Sequence, residues 1–396
     1  MIRMTTAMTA GLLLAMATLA SLAATPAAAI KRTSSKPATA SKPLATKPVA
    51  TTTSAPAAVS VRVDRRVELM CIVYRLAGNP EYNQPTAHPA YAATIDKHFA
   101  KFKDHDVVKL ARQMRAKRGV SFDAPMSLAV HLDEQFKPAF TQRPGGLDGR
   151  YDLDEARRFC ALLQDFARRS EFETFFKDHA KLYRLAEGRL SALIESQVDV
   201  AWFGRYFRPA AAPRFHVVIA LLNGGCCYGP RVEQEGAMET YCILGNWERD
   251  GDGMPTFSKQ VLPTLVHEFC HSFVTPVVLA QETTFAAPAD AVYEQVKVRM
   301  KRMAYGNAMT MAHESVVRAC VVRYLEHKDG PAAARKELAS QYRMGFWCTP
   351  GIARQLAGDY EKSPDQYKTF ADFSPKLADS FLATARKLQA TSQPAK

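Results

Sequence analysis

Apolar residues recur along most of this 396-residue chain at the three-to-four spacing of amphipathic helices, and only a few short stretches depart from it. "VSVRVD" alternates Val59, Val61 and Val63 and predicts a short strand. The next run, "RRVELMCIVYRLAG", sets Val67, Met70, Cys71, Tyr74 and Leu76 near one face and stops at Gly78, which predicts a helix. More helix is predicted over about 88–102, 104–117, 123–135 and 152–168. A long amphipathic stretch over about 170–207 ends where Pro209 and Pro213 break the pattern. Beyond them "RFHVVIALL" is an apolar, β-branched run of strand length, "NGGCCYG" a turn and "METYCILGN" a second strand, a predicted hairpin. "FSKQVLPTLVHEFCHSFVTP" then returns to helical spacing, with Leu262, Leu265, Val266, Phe269 and Phe273 as its apolar face and Pro276 as its expected end. The stretch "LAQETTFAAPAD" reads as loop, "GNAMTMAHESVVRACVVRYLEH" as another helix, and the C-terminal part as helical. The predicted class is α+β and helix-rich, with a small antiparallel sheet beside the helix that carries His267 and His271. No period of 20–50 residues repeats, so a solenoid is excluded.

The N-terminal end does not fit this pattern. Arg3, the apolar "GLLLAMATLASLA" and Ala27-x-Ala29 have the layout of a secretory signal peptide over residues 1–29. The apolar run is shorter than a membrane span, and no later stretch is apolar enough to be one. Residues 30–60, a Lys, Ala, Pro, Thr and Ser mixture without aromatics or acids, read as a disordered linker. Together these segments carry six of the thirteen net positive charges (Arg3, Lys31, Arg32, Lys36, Lys42 and Lys47), which leaves +7 for residues 61–396. That balance does not imply nucleic acid; weak attraction to anionic envelope polymers suits an exported chain better. The expected location is periplasmic or secreted. Eight cysteines permit disulfides there, with Cys226 or Cys227 a candidate to reach Cys242 across the hairpin, and the absence of CxxC argues against a structural cysteine-zinc site.

Candidate chemistry centres on "VHEFCHSFVTP", residues 266–276, an HExxH sequence. On a helix, His267 and His271 are separated by about 400° and about 6 Å, so both imidazoles leave one face and can hold one ion. Glu268 lies about 100° round from His267, where a carboxylate can take a proton from a metal-activated water. The apolar flanks favour a buried site, whereas a surface helix with two chance histidines would not need them. A catalytic zinc requires a third ligand. The extended form HExxHxxGxxH fails, because Val274 and Val277 stand where Gly and His belong. Glu314, 43 residues after His271, is an acid in an otherwise apolar run and needs a partner if buried. The metal is one such partner and Arg318, one turn on, is another. Glu282, Asp290 and Glu294 are rival ligands, weaker for lying in or near the expected loop. His313 reads as pointing elsewhere, and Cys270 as packing. Arg318, Tyr305 and Tyr293 are candidates to support the ligands or to stabilise an oxyanion. "ERDGDG" at 248–253 lacks the acids of a calcium loop and reads as a solvated turn. No GxSxG, P-loop or dinucleotide fingerprint is present.

"LVHEFCHSFVTP", with "GGCCYG" and "ILG" before it and "HESVVRA" after it, resembles a family of exported bacterial proteins with HEFxHSFxNP-type helices, a domain of unknown function of gluzincin type. "ELMCIVYRLAGNPEYN" and "YAATIDKHFAKFKDHDVV" extend the resemblance over most of residues 65–330. It implies a zincin-like fold and zinc held by His267, His271 and Glu314, with Glu268 as general base. Two departures stand out: Thr275 replaces the expected Asn, and Arg318 sits where gluzincins often have Asp. The expected division is a helical part over 61–210, a zincin-like catalytic part over 211–345 and a helical tail over 346–396 that could cover the cleft. The predicted activity is that of a zinc-dependent hydrolase, a metallopeptidase with a peptide or protein substrate, with the 215–246 hairpin as an edge strand for it. The alternative is a non-catalytic envelope binding protein with structural zinc or none. Intact Glu268 separates the two readings, since a structural site has no use for it.

Overall fold

The structure, a computed structural model, describes residues 59–392 apart from 86–87, 235–236 and 304. The expected signal peptide and nearly all of the linker lie outside the described residues. The architecture is α+β, helix-rich, with one four-stranded sheet in the order β1 (Val59–Arg62), β2 (Ala212–Ala220), β4 (Ala237–Gly245) and β3 (Arg231–Gln234).

That sheet is mixed, which corrects the antiparallel expectation. β1 pairs parallel with β2, and β2 pairs parallel with β4 from Ala212↔Ala237 to Ala220↔Gly245; only β3 runs antiparallel to β4. The hairpin is therefore β3–β4, not β2–β4. Its short first strand is preceded by Tyr228, which exchanges both backbone hydrogen bonds with Ile243 (2.9 and 2.8 Å). The reason lies in burial. Strands covered on both faces read as continuous apolar runs, and that is the signature of parallel pairing rather than of an exposed hairpin. Val217–Leu222 and Thr240–Gly245 are buried without a break.

The helices that matter below are α1 (Arg65–Leu76), α2 (Pro89–Phe99), α3 (Asp123–Val130), α4 (Ala180–Gln197), α5 (Leu262–Ala280), α6 (Glu282–Arg302), α7 (Ala308–Asp329), α8 (Pro331–Met344) and α9 (Ala378–Ser392). α5 lies on the sheet, against β4 and with Phe269 4.9 Å from Phe215 of β2 between ring centroids, and beside α7. It does not end at Pro276 but runs on to Ala280, because Val274 and Val278 are fully buried on either side and hold the helix across the lost hydrogen bond. α6 occupies the stretch expected as loop. Phe285, Ala289, Val292, Val296 and Met300 bury one face of it, so tertiary packing overrides Pro288 as well. The 170–207 stretch is three helices, Phe172–Asp178, α4 and Ala201–Phe207. Among the described residues, no helix is long and apolar enough to cross a membrane.

Candidate metal centre

Three side chains from two neighbouring helices meet where α5 and α7 pack together. His267 and His271 leave α5 one turn apart and Glu314 leaves α7, each offering one ligand atom, with all three atoms within 4.8 Å of one another. His271 Nε2 lies 3.1 Å from His267 Nε2 and 3.2 Å from Glu314 Oε1; His267 Nε2 is 3.5 Å from Glu314 Oε2. Glu314 is buried and its Oε2 has no hydrogen-bond partner. Two imidazole nitrogens and a buried carboxylate with an oxygen free of hydrogen bonds, converging on one point, are a donor set that fits a divalent cation of the zinc type.

The electrostatics agree with the geometry. Burial pushes the Glu314 carboxyl up, but His271 and His267 outweigh it and hold the group well below the usual range, as an anion. Burial pulls His271 down, and Glu314 then Glu268 more than reverse this. His267 is lowered to about 4 by burial, so its imidazole is neutral and its nitrogen lone pair is available. Glu268, buried one residue along α5, is raised to about 7 by burial, with Glu314 adding to the rise.

Further residues orient this set. His271 Nδ1 faces Thr275 Oγ1 at 3.0 Å, so donation there leaves Nε2 to face Glu314. Thr275 thus has its own function at the position where an Asn was expected. Arg318 lies with Nη2 3.3 Å from Glu314 Oε2, donates 2.8 Å bonds to Tyr305 Oη and Gln341 Oε1, and rests 4.1 Å over the Phe346 ring. Both sequence readings of Glu314, ligand and ion-pair partner of Arg318, are therefore compatible in one arrangement. Gln341 on α8 and Phe346 just beyond it carried no sequence signal, since nothing in their spacing relates them to α7.

The structure separates the other candidates. Glu282, Asp290 and Glu294 are exposed on α6, away from the ligand group. Tyr293 spends its hydroxyl on the Tyr305 carbonyl at 3.0 Å, so it supports Tyr305 rather than facing the ligands. His313 does not point away: its ring is 6.0 Å from that of His271, and its buried Nδ1 has no partner. Cys270 is fully buried, and all eight cysteines are free thiols. The β3–β4 register sets Gly229, not a cysteine, opposite Cys242, which explains why the expected bridge does not form. Asp250 of "ERDGDG" accepts from the backbone of Asp252 and Met254 and pairs with Arg189, a closed turn.

"GGCCYG" leans on α5. A Cβ on Gly229 would fall 2.2 Å from the Glu268 carbonyl oxygen, so the loop and the helix backbone touch there. The two strands expected to offer an edge are β2 and β4, which lie inside the sheet; the edge on that side is β3, which the sequence reading did not include, and a Cβ on Gly146 would lie 2.1 Å from the Arg231 carbonyl oxygen, so the 145–146 segment covers that edge at Arg231.

The chain belongs to the DUF4932 family, a domain of unknown function, matched over residues 59–379. The DUF4932 match takes in the ligand group, the whole sheet and the helices α1 to α8. No curated protein and no solved structure matches the chain.

Proposed function

We propose that this DUF4932 protein is an exported zinc-dependent hydrolase of gluzincin type that cleaves peptide bonds. The observation that carries the reading is the convergence of His267, His271 and Glu314 to within 4.8 Å, with the buried carboxyl of Glu268 adjoining on the same helix. His267, His271 and Glu314 would hold the ion. Bound there, zinc supplies a Lewis acid and a water that ionises near neutral pH. Glu268 would serve as the general base, taking a proton from the attacking water and handing it to the leaving amine. Arg318 holds Glu314 from the side. Because Tyr305 Oη accepts from Arg318, its own O–H is left to donate to negative charge developing on the carbonyl oxygen.

The test is metal content followed by peptide hydrolysis on the purified mature chain. The expected result is about one zinc per chain. Glu268→Gln should keep that zinc and lose about 10²-fold or more of the hydrolysis rate. A chain that takes up no zinc on add-back overturns the reading. So does a Glu268→Gln variant as active as the wild type.

A further inference from the structure

α8 ends on Gly345, whose φ of 104° suits only glycine, and the chain reverses there. The Gly345 and Phe346 N–H groups close the reversal on the carbonyls of Tyr342 and Gln341, at 3.0 and 3.1 Å. The turn divides its side chains between two places. Gln341 and Phe346 go to Arg318, whereas Tyr342 and Trp347 line a groove between α8, the short helix Thr349–Gln355 and α9. The two rings stand side by side, with centroids 6.2 Å apart and planes tilted by 33°.

The groove encloses about 610 Å³ and shares no residue with the ligand group on α5 and α7. That volume falls within the about 300–1,000 Å³ of small-molecule sites. Its floor is fixed. Ser380 Oγ donates to Gln355 Oε1, Gln355 Nε2 donates to the Lys376 carbonyl at 3.1 Å, and Thr384 Oγ1 donates to the Ser380 carbonyl at 2.7 Å. Gly351 draws the short helix close to α9, since a Cβ there would lie 3.2 Å from Ser380 Oγ. Its rim is not spent on the fold. Tyr342 is 56% exposed. The side chains of Arg354, Asp359 and Asp379 are also exposed and enter no hydrogen bond or ion pair among the described residues.

This lining discriminates between ligand classes. An apolar ligand would cover three charges without offering them partners. An anion meets Asp359 and Asp379, and a cation meets Arg354 and Lys387, so the mixed signs favour a neutral molecule. An extended peptide finds no strand edge to pair with, because no strand lines the groove. A saccharide matches every part. The C–H face of a pyranose ring packs flat on an aromatic ring, and each hydroxyl both donates to a carboxylate and accepts from a guanidinium.

We propose that this groove is a binding site for a neutral oligosaccharide. Tyr342 and Trp347 stack against its rings, and Arg354, Asp359 and Asp379 bond its hydroxyls. The site is independent of the hydrolase reading, since it uses no metal ligand.

The experiment titrates the purified chain with cellotriose, maltotriose and triacetylchitotriose, read by calorimetry and by tryptophan fluorescence. At least one should bind with a Kd of about 1 mM or below and shift the emission of Trp347. Trp347→Phe keeps a ring there, so it should lose the fluorescence response while calorimetry still shows binding. Tyr342→Ala and Arg354→Met should each weaken binding by about tenfold or more. Leu382→Ala, exposed on α9 outside the groove, should leave it unchanged. Both groove side chains are exposed, so the urea midpoints of these variants should match the wild type and separate lost affinity from lost fold. No binding of any of the three sugars at about 10 mM overturns the proposal. So does unchanged affinity in both Tyr342→Ala and Arg354→Met, or inorganic phosphate binding more tightly than every sugar. Removing metal with a chelator should not alter sugar affinity, so a failure of the hydrolase reading leaves this test intact.

Discussion

Glu68 and Glu314 are both carboxylates buried in helices of the same chain, and their surroundings shift them in opposite directions. Glu68 on α1 is fully buried; Tyr91 of α2 donates to its Oε1 at 2.6 Å, Tyr91 in turn meets Tyr183 of α4 at 2.6 Å, and Oε2 has no hydrogen-bond partner. Burial pushes it up to about 7 against a single opposing hydrogen bond. Glu314 is as deeply buried, yet two imidazoles keep it an anion, with Arg318 as its ion-pair partner. Burial alone thus favours the protonated acid, and burial with nitrogen partners favours the anion. The difference singles out α5 and α7, rather than the tyrosine pocket, as the place where negative charge is kept for use.

The contrast can be broken most severely at Glu314. In Glu314→Ala, Arg318 loses its anion and the imidazoles lose their partner, so zinc affinity should fall by more than the about 100-fold seen for outer-shell changes. The metal-free protein should lose about 3 kcal/mol in urea unfolding, since a buried charge is left uncompensated. Competition with a chromophoric chelator and denaturation of the apo form measure the two effects separately.

Glu68→Gln should act with the other sign. The folded-state value near 7 exceeds the ordinary 4.5, so the folded chain holds this proton more tightly and native stability declines as pH rises from about 4.5 to 7. Replacing the acid by a neutral amide removes that decline. The variant should gain on the wild type between pH 5 and pH 8 by at most about 3 kcal/mol. Equal pH dependence in the two proteins would mean that Glu68 is ionised when folded.

A smaller effect sharpens the account of Glu314. Gln341→Leu removes one acceptor from Arg318 but leaves Tyr305 and the Phe346 ring, so zinc affinity should fall by about tenfold. Gln341→Glu should restore it, which a merely space-filling role for Gln341 would not require.

Much of this site was legible because its information is local. HExxH sets two candidate ligands on one face through helical geometry, and Glu314 betrayed itself as a lone acid in an apolar run. Contacts between elements left no such trace. The α8 residue Gln341 and Phe346 beyond it reach Arg318 only because the helices fold back, and His313 turned out to lie near His271. The fold was legible in class and in most helices. Parallel pairing of β2 with β4 was missed because nearness in sequence suggested a hairpin, although the unbroken apolar runs pointed to a sheet covered on both faces. α6 begins in "LAQETTFAAPAD", which reads as loop on its own and is helical because Phe285, Ala289, Val292, Val296 and Met300 are buried by tertiary packing.

Gly229 sets a clearance. Its missing side chain lets one loop rest directly on the carbonyl of Glu268, and Tyr228 beside it is tied in both directions to Ile243. Any larger residue would have to lift the loop by more than an ångström to regain ordinary contact, and the edge of the sheet would be pulled with it. The gauge between the sheet and the helix of the two histidines is thus cut to the size of a hydrogen atom, and a single methyl group is enough to misfit the parts.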